Sequence, residues 1–359
     1  MSRVHNFSAG PAALPAEVLE IIKADIPDWN GTGMSVMEIS HRSKEFIAVA
    51  ERSEANLREL LGVSSDYSVL WIQGGATLQM AMAPLNLTGP NDIADYVVTG
   101  SWGKKAAAEA ALQCVVNKAA DSSDQNFTYI PDESTWQRSP EARYLHITSN
   151  ETIGGVEFHF VPASAVPIVA DMSSTLLSRP IDVSNYGVIY AGAQKNIGPA
   201  GITLVIVRND LLVPAREKLP HLMQWKSYAE SESMTNTPPT FAWYVADLVF
   251  QYLLRQGGLN AMAVINQRKA AKLYAAIDNS GFYSNPVRPD CRSWMNVPFV
   301  LPDAALDTAF LGEASAAGLT NLKGHRSVGG MRASIYNAVP EASVDALVEF
   351  MSEFQRRYG

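Results

Sequence analysis

Lys195 lies where a lysine can do covalent chemistry. Residues 188–201 read VIYAGAQKNIGPAG, so an apolar run leads the lysine into a turn rich in glycine and proline. Glycines in such a turn let another molecule approach the backbone closely. Schiff-base chemistry needs a neutral amine, whereas an ordinary lysine, with a pKa of about 10.4, stays protonated unless burial or a nearby cation lowers that pKa. Taken alone, the pattern favours an ordinary surface lysine in a turn.

Asp171 closes another apolar run and is a candidate partner for a cofactor ring. It follows PIVA and precedes hydroxyl residues at positions 173 to 175. A carboxylate there can keep a ring nitrogen protonated, so that the ring accepts electrons from a substrate. The alternative for an isolated aspartate is a helix N-cap.

A phosphate site is indicated after the run at residues 68–72. The letters QGGAT, which end in Ala76 and Thr77, lead into the helical pattern LQMAMAPLNL. Small residues at a helix start expose backbone N–H groups to an anion, and the helix dipole adds favourable potential. The turn matches neither a Walker A sequence nor GxGxxG, which argues against a nucleotide. A simple packing turn is the alternative.

Two further side chains follow predicted strands. Trp102, in the turn GSWG, can stack on a flat ring or pack in the core, and Thr152, after SNE, can bind a ring hydroxyl or cap a turn. Each feature is weak by itself. Together, the phosphate turn, the aromatic, the hydroxyl, the carboxylate and the lysine come in order at successive strand ends, and this combination is specific.

The elements that would position these residues alternate between strand and helix, which predicts an α/β fold around a mostly parallel sheet. Ligands of such sheets gather at the carboxyl ends of the strands. Strands of the sheet are predicted at residues 68–72, 95–99, 144–148, 167–170, 188–191 and 202–207. Beyond a long helix from Phe241, the pattern predicts a helix at 267–277, strands near 292–300 and 330–334, and helices near 306–317 and from Val344.

Bulk composition narrows the class of protein. The 359 residues are 47% hydrophobic with a net charge of -8, which favours a large folded core over disorder or a nucleic-acid partner. Cys114 and Cys291 are the two cysteines, and the histidines lack metal-ligand spacing, so neither a disulfide framework nor a metal site is predicted. Since the sequence shows neither a secretory leader nor a membrane-spanning apolar run, we expect a cytoplasmic protein without a membrane partner.

The sequence closely resembles one family along nearly its whole length. This family is the phosphoserine aminotransferases, which are fold-type-I enzymes of class V that use pyridoxal 5'-phosphate. The segments that carry the resemblance include FSAGPAALP, SNETIGG, AGAQKNIGPAG, NTPPTFAWY and KGHRSVGGMRASIYNA. The resemblance implies a seven-stranded, mostly parallel sheet in a large domain at residues 16–258. It also implies a smaller α+β domain built from residues 1–15 and 259–359.

Cofactor contacts follow from the resemblance position by position. Lys195 would form the Schiff base, Asp171 would pair with the pyridine nitrogen, and Trp102 would stack on the ring. Thr152 would bind the ring oxygen. The cofactor phosphate would be held by Ala76, Thr77, Gln194, Asn236 and Thr237. Because the family supplies the last two from the neighbouring subunit, a homodimer with shared active sites is implied.

Substrate contacts are implied in the same way. Arg332 would bind the α-carboxylate, and the substrate phosphate or the glutamate side chain would be surrounded by His41, Arg42, His325 and Arg326. The implied reaction is a ping-pong transfer from L-glutamate to 3-phosphohydroxypyruvate, which yields 2-oxoglutarate and O-phospho-L-serine for serine biosynthesis. Many family members also accept a related substrate of pyridoxine biosynthesis.

This chain departs from some family members at two places. It has Ala76-Thr77 where they carry Gly-Arg, and Ala9 where they carry serine. Backbone amides do most of the phosphate binding, so the first change alters mainly the local charge. The second leaves Ala9 only its backbone for contacts.

Three alternatives stay open from the sequence. Another class-V aminotransferase, such as a serine-glyoxylate enzyme, would leave the two His-Arg pairs without a purpose. A cysteine desulfurase would need an exposed, activated thiol, which neither cysteine's context favours. A non-catalytic protein that binds phosphorylated ligands would need neither Lys195 nor Asp171.

Overall fold

The computed structural model describes residues 3–359. Its strands are β1 His5–Asn6, β2 Tyr67–Gln73, β3 Ile93–Val98, β4 Val115–Asp121, β5 Ala142–Thr148, β6 Asn150–Glu151, β7 Val156–Glu157, β8 Ile168–Asp171, β9 Val188–Gly192, β10 Ile202–Arg208, β11 Asn296–Phe299, β12 Leu319–Thr320 and β13 Met331–Ser334. Its α-helices are α1 Ala16–Asp25, α2 Lys44–Leu61, α3 Ala76–Leu87, α4 Ser101–Ala110, α5 Trp225–Glu230, α6 Thr240–Arg255, α7 Gly258–Asp278, α8 Asp307–Ala316 and α9 Glu341–Tyr358. None of the helices in this described range is both long and apolar enough to cross a membrane.

The central sheet has seven strands in the order β2-β10-β9-β8-β5-β3-β4. All neighbouring pairs are parallel except the two made by β10, which runs antiparallel to β2 and to β9. The predicted α/β class with a mostly parallel sheet is therefore confirmed. Every predicted strand of the sheet is present within two residues of its expected ends, and β4 is a strand that was not predicted.

Hydrophobic side chains cover both faces of this sheet. Along β10, Leu204 and Ile206 pack in one buried cluster, whereas Val205 and Val207 pack in another on the opposite face. Successive side chains of a strand point to opposite faces, so an apolar run is what a strand buried on both sides requires. The two faces are covered mainly by α2 and α6 on one side and by α3 and α4 on the other.

The C-terminal part of the chain has a hydrophobic cluster of its own. It combines Phe7 and Ala13 with side chains from positions 270 to 354, on α7, α8, α9 and the antiparallel pair β11 and β13. We call this part, from α7 onward, the C-terminal unit. In it, the predicted helix at 267–277 is the second half of α7, and the strand expected at 292–300 is limited to Asn296–Phe299.

A hairpin joins the sheet to the C-terminal unit. Its strands β6 and β7 are connected through Gly155, where a side chain would be both strained, at φ 74°, and only 2.5 Å from Pro298 Cδ. Asn150 Nδ2 on the hairpin donates to Asn296 Oδ1 at 2.8 Å. Asn296 in turn donates to the hydroxyls of Ser334 and Tyr336, at 2.9 and 3.0 Å. Buried amides thus tie the hairpin to β13.

Candidate active site

A cavity of about 340 Å³ opens at the carboxyl edge of the sheet. Because β2, β3, β5, β8 and β9 run in the same direction, the residues that follow them meet there. The cavity is lined by residues 74–77, Met80, Trp102, Thr148, Asn150, Thr152, Asp171, Ser173, residues 192–195 and residues 200–202. Seven predicted cofactor residues are in this lining: Ala76, Thr77, Trp102, Thr152, Asp171, Gln194 and Lys195.

Lys195 is buried in the turn after β9, and its Nζ donates to Thr152 Oγ1 at 2.5 Å. Burial lowers the pKa of the ammonium to about 8, against the opposing charges of Asp171 and Glu151, and Arg332 lowers it further. At pH 7 the neutral fraction of the amine rises from about 1 in 3,000 for an exposed lysine to about 1 in 10. The turn therefore holds an amine that is neutral far more often than that of an exposed lysine.

Asp171 is the last residue of β8 and lies in register with Thr148 and Tyr190 on the flanking strands. Its Oδ1 accepts from the backbone N and the hydroxyl of Ser173, at 2.9 and 2.6 Å. Burial raises the pKa of the carboxyl, while Ser173 and Lys195 act in the opposite direction. Within residues 3–359 its Oδ2 has no hydrogen-bond partner, which leaves one carboxylate oxygen free for a cationic ligand atom.

The start of α3 forms one end of the cavity and could bind an anion there. Its N-cap, Gly75, has no side chain, so no capping side chain occupies the first-turn N–H groups, and Ala76 and Thr77 both line the opening. Gly192 lies so close that a Cβ on it would be 3.3 Å from Ala76 N. Gln194 completes this end, and its carbonyl accepts from Ala12 N at 2.8 Å.

Trp102 lies in the first turn of α4 and presents its indole to the cavity. Its Nε1 is buried and unpartnered among the residues the structure describes. Its backbone N donates to Glu151 Oε2 at 2.9 Å. The ring is thus fixed at its base, has the ammonium of Lys105 over it at 5.7 Å from its centroid, and keeps an unused N–H donor.

Arg332, on β13 of the C-terminal unit, is not part of the cavity lining but contacts Thr152, which is. Its Nη1 donates to the carbonyl of Thr152 at 3.2 Å, and burial lowers the pKa of the guanidinium. The backbone carbonyl of Ala9 accepts a hydrogen bond from Tyr336 Oη at 2.8 Å, so Ala9 contacts the same C-terminal unit. A planar guanidinium there can bind a carboxylate with two hydrogen bonds.

The other predicted residues do not line the cavity of this chain. Asn236 and Thr237 lie in a partly exposed loop, where Asn236 Nδ2 donates to Gln73 Oε1 at 2.5 Å. The two His-Arg pairs also lie outside it, the first before α2 and the second in an exposed loop before β13; they comprise His41, Arg42, His325 and Arg326. Of these, the buried Nε2 of His41 lacks a partner within residues 3–359.

Four side chains of the site were missed by the sequence analysis: Thr148, Asn150, Glu151 and Ser173. Ser173 was noted only as part of a hydroxyl-rich run. An aspartate side chain commonly accepts from the backbone amide two residues later, and this spacing could have placed Ser173 beside Asp171. Glu151 had no such signal, because its hydrogen-bond partners are the distant backbone amides of Trp102 and Gly103.

Both cysteines are buried and unpaired, and burial raises the pKa of each thiol. Neither lines the cavity. The structure therefore gives no support to the desulfurase alternative, which needs an accessible thiolate. Within residues 3–359 no group of three or more histidine, cysteine or acidic side chains is arranged to hold a metal ion.

Comparison with known proteins agrees with this geometry. The model of the class-V aminotransferase family matches residues 4–347. Phosphoserine aminotransferase from Hahella chejuensis is 58% identical over 99% of both chains, and that from Chromobacterium violaceum is 54% identical over the full length of both.

Solved structures give the same result. Phosphoserine aminotransferase from Bacillus circulans subsp. alkalophilus superposes with a TM-score of 0.97 at 47% identity, over 99% of both chains. The PLP-bound phosphoserine aminotransferase from Trichomonas vaginalis gives 0.93 at 42% identity, over 97% of this chain and 99% of that one. The chain therefore belongs to the class-V aminotransferases and, within them, to the phosphoserine aminotransferase family of pyridoxal-phosphate-dependent enzymes.

Proposed function

We propose that this enzyme transfers the amino group of L-glutamate to 3-phosphohydroxypyruvate, which yields 2-oxoglutarate and O-phospho-L-serine, a step of serine biosynthesis. The observation that carries the proposal is a buried lysine of lowered pKa that shares one cavity with a buried carboxylate. Relatives identical at more than half of their positions bear the name of this activity.

The residues of the cavity fit pyridoxal phosphate. The N–H groups at the start of α3 suit its phosphate, and the free Oδ2 of Asp171 suits its ring nitrogen. The unpartnered indole of Trp102 offers a stacking face, and the hydroxyl of Thr152 lies beside Lys195 Nζ. When bound, the cofactor supplies an electron-accepting ring.

The chain's own residues then have distinct tasks. Lys195 binds the cofactor through its amine and, once the amine of the donor has displaced it, carries the proton away from the donor Cα. Asp171 keeps a proton on the ring nitrogen. Thr152 orients the lysine. In the ping-pong order, 2-oxoglutarate leaves before the phosphorylated acceptor enters the same pocket.

Substrate recognition is assigned to cationic side chains. Arg332, next to Thr152, binds the α-carboxylate that both substrates share. The phosphate of one substrate and the side-chain carboxylate of the other are bound by His41, Arg42, His325 and Arg326. Because several assigned residues lie outside the cavity of their own chain, we also propose a homodimer in which Asn236 and Thr237 reach the neighbouring cofactor phosphate.

The decisive experiment is a half-reaction with O-phospho-L-serine alone, in which the visible spectrum of the bound cofactor is recorded over time. The proposal expects the yellow band to disappear within one turnover, as it also should with L-glutamate. A protein that binds phosphoserine without any spectral change would instead be a non-catalytic binder. A spectrum that responds to glutamate but not to phosphoserine would indicate another class-V aminotransferase.

Arg42→Ala tests the proposed phosphate contact. Loss of a charge-assisted hydrogen bond costs about 1.5–3 kcal/mol, so KM for phosphoserine should rise on the order of tenfold to a hundredfold. Lys44→Ala, a nearby surface change at the start of α2, serves as the control with unchanged KM. An Arg42→Ala enzyme with wild-type KM for phosphoserine would contradict the assignment.

Reconstitution of the cofactor-free enzyme should depend on pH through Lys195. Only the neutral amine attacks the cofactor, so the rate of return of the visible band should rise with pH and level off above about 8, the pKa of the buried lysine. An exposed lysine would keep the rate rising to about pH 10.4. A stopped-flow series across this range distinguishes the two cases.

We also make proposals about the domain division and the cellular location of the protein. We propose a large domain at residues 16–258 and a small one at residues 1–15 and 259–359, a division supported by the cluster that joins Phe7 and Ala13 to positions beyond 269. Met1 and Ser2 lie outside the described residues. We also infer a cytoplasmic location, which the two unpaired cysteines favour because thiols persist in a reducing compartment.

A further inference from the structure

Glu151 is a buried carboxylate for which the proposed chemistry has no task. Its side chain is fully buried, yet it makes no ion pair with a lysine or arginine of the described chain. Its hydrogen-bond partners are two backbone amides at the start of α4: Oε2 accepts from Trp102 N at 2.9 Å and Oε1 from Gly103 N at 2.7 Å. Both carboxylate oxygens are therefore committed to one turn of one helix.

This contact replaces the cap that α4 lacks. The N-cap of the helix is Gly100, which has no side chain to accept from the first-turn amides. A carboxylate in that place also interacts favourably with the positive end of the helix dipole. The absence of a side chain at Gly100 is required, because a Cβ there would lie 2.3 Å from Glu151 Cδ.

The same residue adjoins the lysine contact. Glu151 precedes Thr152, whose hydroxyl accepts from Lys195 Nζ, and its own carbonyl accepts from Gly155 N at 2.7 Å within the hairpin. It thus connects the segment that holds the lysine with the turn that presents the indole. Burial raises the pKa of this carboxyl to about 7, and Asp171 adds to that rise, whereas the two amides and the charge of Lys195 lower it, so the two hydrogen bonds favour the ionised form.

We infer that Glu151 is a positioning residue that holds the Trp102 indole at the height and tilt at which it stacks on the cofactor ring. The inference rests on the proposed cofactor site and deepens it. A glutamine in place of Glu151 would keep one acceptor but would turn an NH₂ group toward the second amide. The first turn of α4 would then shift, and the indole with it.

The test is a double-mutant cycle on the holoenzyme with Glu151→Gln and Trp102→Ala, read as the dissociation constant of the cofactor and its visible circular dichroism. Glu151→Gln alone should raise the dissociation constant about tenfold, which corresponds to about 1.4 kcal/mol, and should change the dichroism. In the Trp102→Ala background it should change the dissociation constant by less than about twofold, because coupled residues are not additive. Additive effects would overturn the inference.

Two further variants keep the result interpretable. Gly100→Ala keeps the carboxylate but displaces it, and should reproduce the change in dichroism even if Glu151→Gln folds poorly. Glu157→Gln removes an equally buried carboxylate of the same hairpin, bound to Arg179 and to Trp294 N, and should leave the dichroism unchanged. A matching change in Glu157→Gln would refute the inference. A wild type without bound cofactor would refute the proposed site itself.

Discussion

Replacing Lys195 by alanine is expected to lower turnover by about 10⁴-fold or more and to remove the absorbance that depends on the lysine. The residue has two tasks in the proposed reaction, as the amine that binds the cofactor and as the carrier of the Cα proton. No other lysine lines the cavity, so none in the described chain can substitute for it. The measurements are the visible spectrum after reconstitution and the steady-state rate with glutamate and 3-phosphohydroxypyruvate.

The chain offers a matched control in its second buried lysine. Lys269 on α7 donates to the carbonyls of Ile335, Tyr336 and Val339, at 2.8–3.0 Å, and does not line the cavity. Lys269→Met should destabilise the fold by about 1–3 kcal/mol through unpaired carbonyls, and should leave the absorbance band in place. Activity of Lys195→Ala within tenfold of the wild type would contradict the mechanism.

Asp171→Asn should reduce kcat on the order of 10³-fold with little effect on folding. Asparagine keeps an oxygen that can accept from Ser173 but lacks the negative charge that keeps a ring nitrogen protonated. The ring would then accept electrons poorly when the donor Cα loses its proton. Single-turnover kinetics with glutamate measure this step directly.

Ser173→Ala separates charge from orientation at this carboxylate. It removes the hydroxyl donor to Oδ1, but leaves the charge of Asp171 and the backbone donor in place. We expect a loss of about tenfold at most, the size of one hydrogen bond. If Asp171→Asn were no slower than Ser173→Ala, the charge would have no special part in the reaction.

The central strands could be predicted from sequence because each is an apolar run. Strand β10 is buried on both faces, so its pattern has no polar interruption, and the prediction at 202–207 is short by one residue. Strand β4, at the edge of the sheet, reads VVNKAAD and is mostly half-exposed. Its polar residues interrupt the apolar pattern by which a strand is predicted. A pattern of hydrophobic letters detects strands by their burial, and edge strands have little of it.

Sequence placed together the residues of the cavity better than those outside it. Strand ends converge by topology, and this brought Lys195, Asp171 and Trp102 into one cavity. Glu151 was missed because its partners are backbone amides 49 and 48 positions away, which no side-chain motif can show. The two His-Arg pairs carry no such topological constraint, since they lie in loops before α2 and before β13, away from the ends of the sheet strands.

The amide pair between Asn150 and Asn296 has a mechanical consequence. Asn296 gives both of its side-chain donors to the C-terminal unit and its oxygen to the hairpin. Any rotation of that unit must therefore either break the bond between the two amides or pull the hairpin with it. Because the hairpin also carries Thr152, a displacement that begins at β13 is transmitted to the hydroxyl that holds the lysine. These hydrogen bonds thus couple the position of the Arg332 side chain to the orientation of the Lys195 amine.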